Sequence, residues 1–182
     1  MKLVVLGAGE VHVWWGSPQP PAGRGRLRLL LARYLRVTPR NVRLGREPNG
    51  KPILLSPAGV PPLRFSVSHS KDRVAYALTR AGEVGVDVEH FRPGLDWPGL
   101  AERFFAPAEA RELRRAGPAA GRASFYRLWT QKEAMAKADG ANLLQWLGAD
   151  VSERTTAEWR VWSWPIPAGA AAVACRSRKA PC

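Results

Sequence analysis

Residues 84–93 read VGVDVEHFRP, and the fold turns on how they are read. Val84, Val86 and Val88 fall on one face and Gly85, Asp87 and Glu89 on the other, because strand side chains alternate with period two. The pattern predicts a β-strand with an apolar face and a face carrying two carboxylates roughly 7 Å apart along the strand. Two carboxylates so placed repel each other unless a cation or an arginine lies between them. The stretch is therefore either a solvated strand face or half of a cation site.

The neighbouring sequence makes an antiparallel frame for it. Upstream, LRFSVSHS (63–70) alternates Phe65 and Val67 with Ser66 and Ser68, KDR turns the chain, and VAYALTR (74–80) returns as a hairpin partner. Further upstream, PNGKPILL (48–55) gives an Asn-Gly turn and a short strand at 53–55. RLRLLLARYLRV (26–37) has its leucines at helical spacing with arginines interleaved. Strands are expected at 3–6 and 11–15. Downstream, RPGLDWPGL (92–100) reads as a loop and residues 101–117 as two helices with a restart at Pro107; PAAGR (118–122) reads as a break. Residues 123–139, ASFYRLWTQKEAMAKAD, form the best helix in the sequence, and strands are expected around 159–164 and 170–176. RVAYALTR and AAAVACRS are similar apolar strands, each ending an arginine-bearing helix-plus-strands segment. The fold class expected is α+β, with two pseudo-symmetric halves, each a helix on a small, mainly antiparallel sheet, and a site in the cleft between them. The halves are set at 1–90 and 91–182.

Composition bounds the rest. The chain has 182 residues, 46% of them hydrophobic, enough for a globular core. No apolar run reaches membrane-span length, and the apolar start is short and interrupted by Glu10, so the cytoplasm is the default compartment and no membrane partner is expected. Gly7-Ala8-Gly9 lacks the third glycine of a dinucleotide fingerprint. Cys175 and Cys182 give neither a metal spacing nor a disulfide framework, and Cys175 reads as core. The net charge of +13 favours a polyanionic partner, whether nucleic acid, a phosphorylated ligand or an acidic protein, although a compositional bias towards Ala, Gly, Pro and Arg accounts for it as well.

The strong helix supplies a third carboxylate. Phe125, Trp129 and Glu133 are spaced by four, which keeps Glu133 close to the apolar stripe, and Lys137 follows one turn later. An ordinary Glu–Lys pair is the plainer reading, worth a few tenths of a kcal/mol. Asp, Glu and Glu are hard oxygen donors of the kind Mg²⁺ takes alongside water and phosphate. His69 is usually the kind of residue that serves structure, yet with Ser68 at a strand end it could donate to a phosphate.

Four blocks in order, NGKPIL (49–54), FSVSHS (65–70), GVDVE (85–89) and FYRLWTQKEAMAKADG (125–140), with RFFAPAE (103–109) between the last two, resemble the Sfp-like class of phosphopantetheinyl transferases. The resemblance implies that Asp87, Glu89 and Glu133 hold a metal, Mg²⁺ with Mn²⁺ as the alternative. It implies that Lys137 contacts the transferred phosphate region, that Ser68 and His69 lie near the ribose phosphate of coenzyme A, and that Lys51 and Pro52 lie near its adenine. The activity implied is transfer of 4′-phosphopantetheine from coenzyme A to a serine of an acidic apo carrier protein by a monomer, releasing adenosine 3′,5′-bisphosphate. Glu133, or a water it orients, is the candidate general base, making Glu133 and Lys137 the catalytic pair.

Two departures stand out. The basic segment usual before the arginine helix is replaced by GSPQPPAGRGR (16–26), so its phosphate contacts are either lost or supplied by Arg24, Arg26 or Arg28. After the helix the sequence reads Gly140-Ala141-Asn142-Leu143, where Asn142 is expected to tolerate a left-handed turn. The alternatives are a weakened member that binds coenzyme A or the carrier without turnover, and a basic nucleic-acid-binding domain. Three acidic side chains would sit badly in a phosphate groove without a metal, so nucleic acid is not the expected partner.

Overall fold

The computed structural model describes residues 6–7, 9–17, 24–47, 50–55, 62–155 and 158–177. The strand expected at 3–6 lies, apart from Leu6, outside these residues, as do Asn49 and Cys182. In chain order the elements are β1 (Val11–Gly16), α1 (Arg24–Leu35), β2 (Leu44–Arg46), β3 (Pro52–Leu54), β4 (Arg64–Ser70), β5 (Arg73–Thr79), β6 (Gly82–His90), α2 (Trp97–Phe104), α3 (Pro107–Arg115), α4 (Gly117–Asp139), α5 (Leu143–Leu147), α6 (Val151–Arg154), β7 (Trp159–Ile166) and β8 (Gly169–Ser177). The architecture is α+β, as the sequence predicts.

Two three-stranded antiparallel sheets make the frame, ordered β1-β5-β4 and β6-β8-β7, with β2 and β3 as a separate pair. The two apolar strands that look alike in sequence, β5 and β8, are the central strands of these sheets. That placement explains their composition, since a central strand covered on both faces has no room for a polar side. Ala75 and Ala77 of β5 pack with Val84, Val86 and Val88 of β6 and with Ala171 and Val173 of β8. Small and β-branched side chains let the two sheets close on each other. On the far side of the first sheet, Leu27, Leu30, Leu31 and Tyr34 of α1 cover Val74, Tyr76 and Leu78. On the far side of the second, Phe125, Met135 and Ala138 of α4 belong to the cluster holding Ala170, Ala172 and Ala174. Cys175 is buried in β8, as expected of a core residue.

The sheets meet along β4 and β6 through serine hydroxyls. Ser66 Oγ accepts from Val86 N (3.1 Å), Ser68 Oγ donates to Asp87 Oδ1 (2.8 Å), and Ser70 Oγ donates to Glu89 Oε2 (3.1 Å) while accepting from His90 N (3.1 Å). A constant offset of about twenty residues marks the two strands as running side by side in the same direction.

Three sequence expectations are corrected. The loop at 92–100 ends early: Asp96 accepts from Gly99 N and caps α2, which begins at Trp97 with a proline in its first turn. PAAGR does not break the helix but begins it. Gly117 (φ +76°) reverses the chain after α3, and Pro118 then occupies the first turn of α4, where it has no hydrogen bond to lose. Asn142 is not left-handed. Gly140 (φ +72°) takes that conformation and ends α4, while Asn142 (φ −68°) caps α5 by accepting from Leu144 N (3.0 Å).

What sets the distance between β6 and α4 is Gly85. A β-carbon there would lie 1.9 Å from the Ala134 carbonyl oxygen and 2.7 Å from Ala138 N. Only glycine lets the helix backbone come down onto the face of β6 that carries Asp87 and Glu89.

Candidate active site

Strand β6 presents Asp87 and Glu89 towards α4, and the helix turn seated on Gly85 presents Glu133 back to them. One carboxylate oxygen from each of the three lies within 4.8 Å of the others. Asp87 is 1% exposed; its Oδ1 accepts from Lys137 Nζ (2.6 Å) and Ser68 Oγ (2.8 Å). Lys137 Nζ also reaches Ser68 Oγ (3.1 Å) and lies 3.7 Å from Glu133 Oε2. Glu89 accepts from Ser70 and pairs with Arg92 at 3.1 Å. Lys137, on Asp87 and Glu133, and Arg92, on Glu89, are thus counter-charges of the cluster.

Burial pushes the Glu133 carboxyl up to about 7, with the Asp87 charge adding to the rise, Lys137 opposing it, and Glu89 adding again. A proton on Glu133 can be given to Asp87 as a hydrogen bond. With Glu133 ionised, Asp87 Oδ2 is a buried oxygen with no hydrogen-bond partner among the described residues. A buried carboxylate oxygen left bare beside two more carboxylates is what a divalent cation satisfies. The donor set therefore fits a hard, oxygen-seeking ion such as Mg²⁺ or Mn²⁺.

Cavities open on both sides of the cluster. One, of about 390 Å³, is lined by Lys51, Pro52, Phe65, Glu133, Lys137 and Leu143 among others. The other, of about 300 Å³, is lined by Glu89, Arg92, Leu100, Phe125, Trp129 and Glu133. Lys51 and Pro52 thus share a cavity wall with Glu133 and Lys137. Ser68 is buried against Asp87, and His69, on the opposite face of β4, is exposed. Of the candidate arginines, Arg28 donates to Val42 O (2.7 Å) and lines a cavity with Pro52 and Val67, and Arg26 lies near Tyr76.

Three contributors were not foreseen. Ser70 orients Glu89, Arg92 pairs with it, and Gly85 sets the approach of α4. The serines at 66, 68 and 70 share the period-two signal that marks Asp87 and Glu89, so Ser70 was within reach of the same reading. Arg92 lies beyond the end of the strand, where no period applies.

Comparison with known proteins meets this geometry at the same segments. Residues 83–169 match the model of the 4′-phosphopantetheinyl transferase superfamily, a span running from β6 through α4 to the start of β8. The 4′-phosphopantetheinyl transferase HetI of Nostoc sp. is 41% identical over 119 residues, 65% of this chain and 50% of the relative. The 4′-phosphopantetheinyl transferase AcpT of Salmonella typhimurium is 39% identical over 123 residues, 68% of this chain and 61% of the relative. The AcpT of Escherichia coli K12 is 36% identical over 162 residues, 82% of this chain and 79% of the relative. The chain thus spans between half and about three fifths of the first two relatives' length and about four fifths of the third. On a match this broad, the chain belongs to the 4′-phosphopantetheinyl transferase superfamily.

Proposed function

We propose that the protein is an Sfp-type enzyme that moves 4′-phosphopantetheine from coenzyme A to a serine hydroxyl of an apo acyl or peptidyl carrier protein, dependent on Mg²⁺. The observation that carries the reading is the meeting of Asp87, Glu89 and Glu133 within 4.8 Å, between two cavities. The three carboxylates would hold the ion, which when bound neutralises the pyrophosphate of coenzyme A. The serine oxygen forms a bond to the phosphorus that carries the pantetheine arm. The bond from that phosphorus to the bridging oxygen breaks, and adenosine 3′,5′-bisphosphate leaves. The serine proton goes to Glu133 or to a water it orients. Lys137, already within reach of both Asp87 and Glu133, adds positive charge where the leaving phosphate gathers negative charge.

The cavities suit the two ends of such a substrate. Lys51 and Pro52 line the one on the nucleotide side together with Phe65, Ser66 and Val67 of β4, the strand that also carries Ser68 and His69. The aromatic cavity beside Glu89 and Trp129 suits the less polar pantetheine arm. In this reading residues 1–90 form the nucleotide half and 91–182 the carrier half, with the site in the cleft between them. β6, which closes the first segment, is hydrogen-bonded to β8 of the second, so it serves as the seam. The net charge of +13 would steer an acidic carrier towards the enzyme, which acts as a cytoplasmic monomer.

The test is incubation with coenzyme A, Mg²⁺ and an apo carrier protein, read by mass spectrometry of the carrier. A gain equal to the phosphopantetheine group, abolished by chelator, is the expected result. Coenzyme A binding with no gain would leave a non-catalytic binder in its place. Salt-sensitive oligonucleotide binding without need of metal would point to the nucleic-acid alternative.

A further inference from the structure

Helix α4 carries a buried charged residue that the reaction does not use. Lys132, next to Glu133, is fully buried, and its Nζ lies 2.7 Å from Glu109 Oε2, itself buried at the start of α3. Neither charge is isolated. Glu109 Oε2 also accepts from Ala106 N (3.3 Å), and Glu109 Oε1 accepts from Val151 N (3.1 Å). Lys132 donates to the Ala149 carbonyl and sits 4.9 Å from the centre of the Phe105 ring. One ion pair therefore fastens two elements to α4: the entry to α3, and the backbone on either side of Asp150.

The second of these matters for the site. After Gly140 the chain doubles back along α4 through α5 and α6, and Ala141 and Leu143 of this return line the cavity that holds Lys51, Glu133 and Lys137. The return has little stability of its own. Its helices have five and four residues, too short to persist unaided. Trp146 anchors its middle against Trp159, with ring centres 5.1 Å apart. The Glu109–Lys132 pair anchors its far end, one residue from the metal-facing carboxylate. A buried pair adds little net stability over apolar packing, so fixing a geometry is the stronger reason for keeping one.

We propose that Glu109 and Lys132 are positioning residues that fasten the 141–151 wall of the nucleotide-side cavity to the helix bearing Glu133 and Lys137. This rests on the transferase reading for its kinetic consequence, and on geometry alone for the fastening. With the pair broken, the wall loosens, coenzyme A is held less well, and the carboxylate cluster on β6 and α4 keeps its shape.

The test uses the full chain with Glu109→Gln, Lys132→Met and the double variant, which leaves the net charge unchanged. Amide hydrogen exchange in 143–151 should be about tenfold faster in each, with β6 and β8 unchanged. KM for coenzyme A should rise roughly fivefold with kcat nearly constant, and the double variant should resemble either single one. Wild-type exchange in 143–151, equal acceleration in β6 and β8, or an unchanged KM would each overturn the proposal. If Lys132→Met does not fold, Glu109→Gln, which keeps an acceptor for the Val151 amide, decides by the same readings. If the wild type takes no phosphopantetheine from coenzyme A, the transferase reading fails by itself and the exchange contrast still decides the fastening.

Discussion

Asp87→Ala is expected to lower kcat/KM for carrier modification by roughly 10³-fold, the scale of losing a group that stabilises charge in the transition state. Asp87 is the most buried of the three carboxylates and shares Lys137 with Glu133. Its Oδ1 receives both Lys137 and Ser68, and with Glu133 ionised its Oδ2 has no hydrogen-bond partner among the described residues. Removing it takes away a metal ligand and releases Lys137 from its 2.6 Å contact. Glu133→Ala should fall as far, since it deletes a metal ligand and the candidate base together. The fold should survive both changes, because the apolar faces of β6 and α4 are untouched; circular dichroism and a thermal melt check this. Activity within tenfold of wild type for a folded Asp87→Ala protein would remove the cluster from the mechanism.

Gly85→Ala should be the most damaging change on the strand, although it adds only a methyl group. That group would sit 1.9 Å from the Ala134 carbonyl oxygen, less than any non-bonded contact permits, and the obstacle is helix backbone that cannot rotate away. Either α4 lifts from β6 or the strand bends. The expected destabilisation is about 3 kcal/mol or more, at the upper end for overpacking because backbone must move. Since Glu133 follows from the same helix turn, transfer activity should drop with stability. A variant melting close to the wild type with full activity would mean that the helix does not rest on this glycine.

Some of this was legible in the sequence. The alternation over 84–89 gave β6 and the facing of Asp87 and Glu89, and the four-residue spacing of Phe125, Trp129 and Glu133 gave the helix and the inward lean of its carboxylate. Both signals are local and periodic, and both faces pack against something. The likeness of β5 and β8 was also readable, though only the sheet order explains it. What escaped reading depends on contacts distant in sequence. A glycine between valines looks like a weakness in a strand until the helix that lies on it is known. Three serines in FSVSHS look like a polar face, whereas they bridge β4 to β6. Lys132 and Glu109 look like solvated charges because most such residues are; twenty-three residues of separation conceal that each is the other's partner. PAAGR looked like a break because proline and glycine usually punctuate, but at the first turn of a helix proline is tolerated and a glycine at positive φ makes the entry.

The most direct measurement is a titration of the purified chain with Mn²⁺, followed by electron paramagnetic resonance, without coenzyme A or carrier. If Asp87, Glu89 and Glu133 share one ion, the chain binds a single Mn²⁺ that Mg²⁺ displaces. The affinity climbs about tenfold per pH unit up to about 7 and then levels, because the ion must expel the proton that burial holds on Glu133. Asp87→Asn, Glu89→Gln and Glu133→Gln each weaken it, and in Glu133→Gln the pH dependence disappears. Binding indifferent to all three substitutions, or no binding above pH 7, would contradict the shared site.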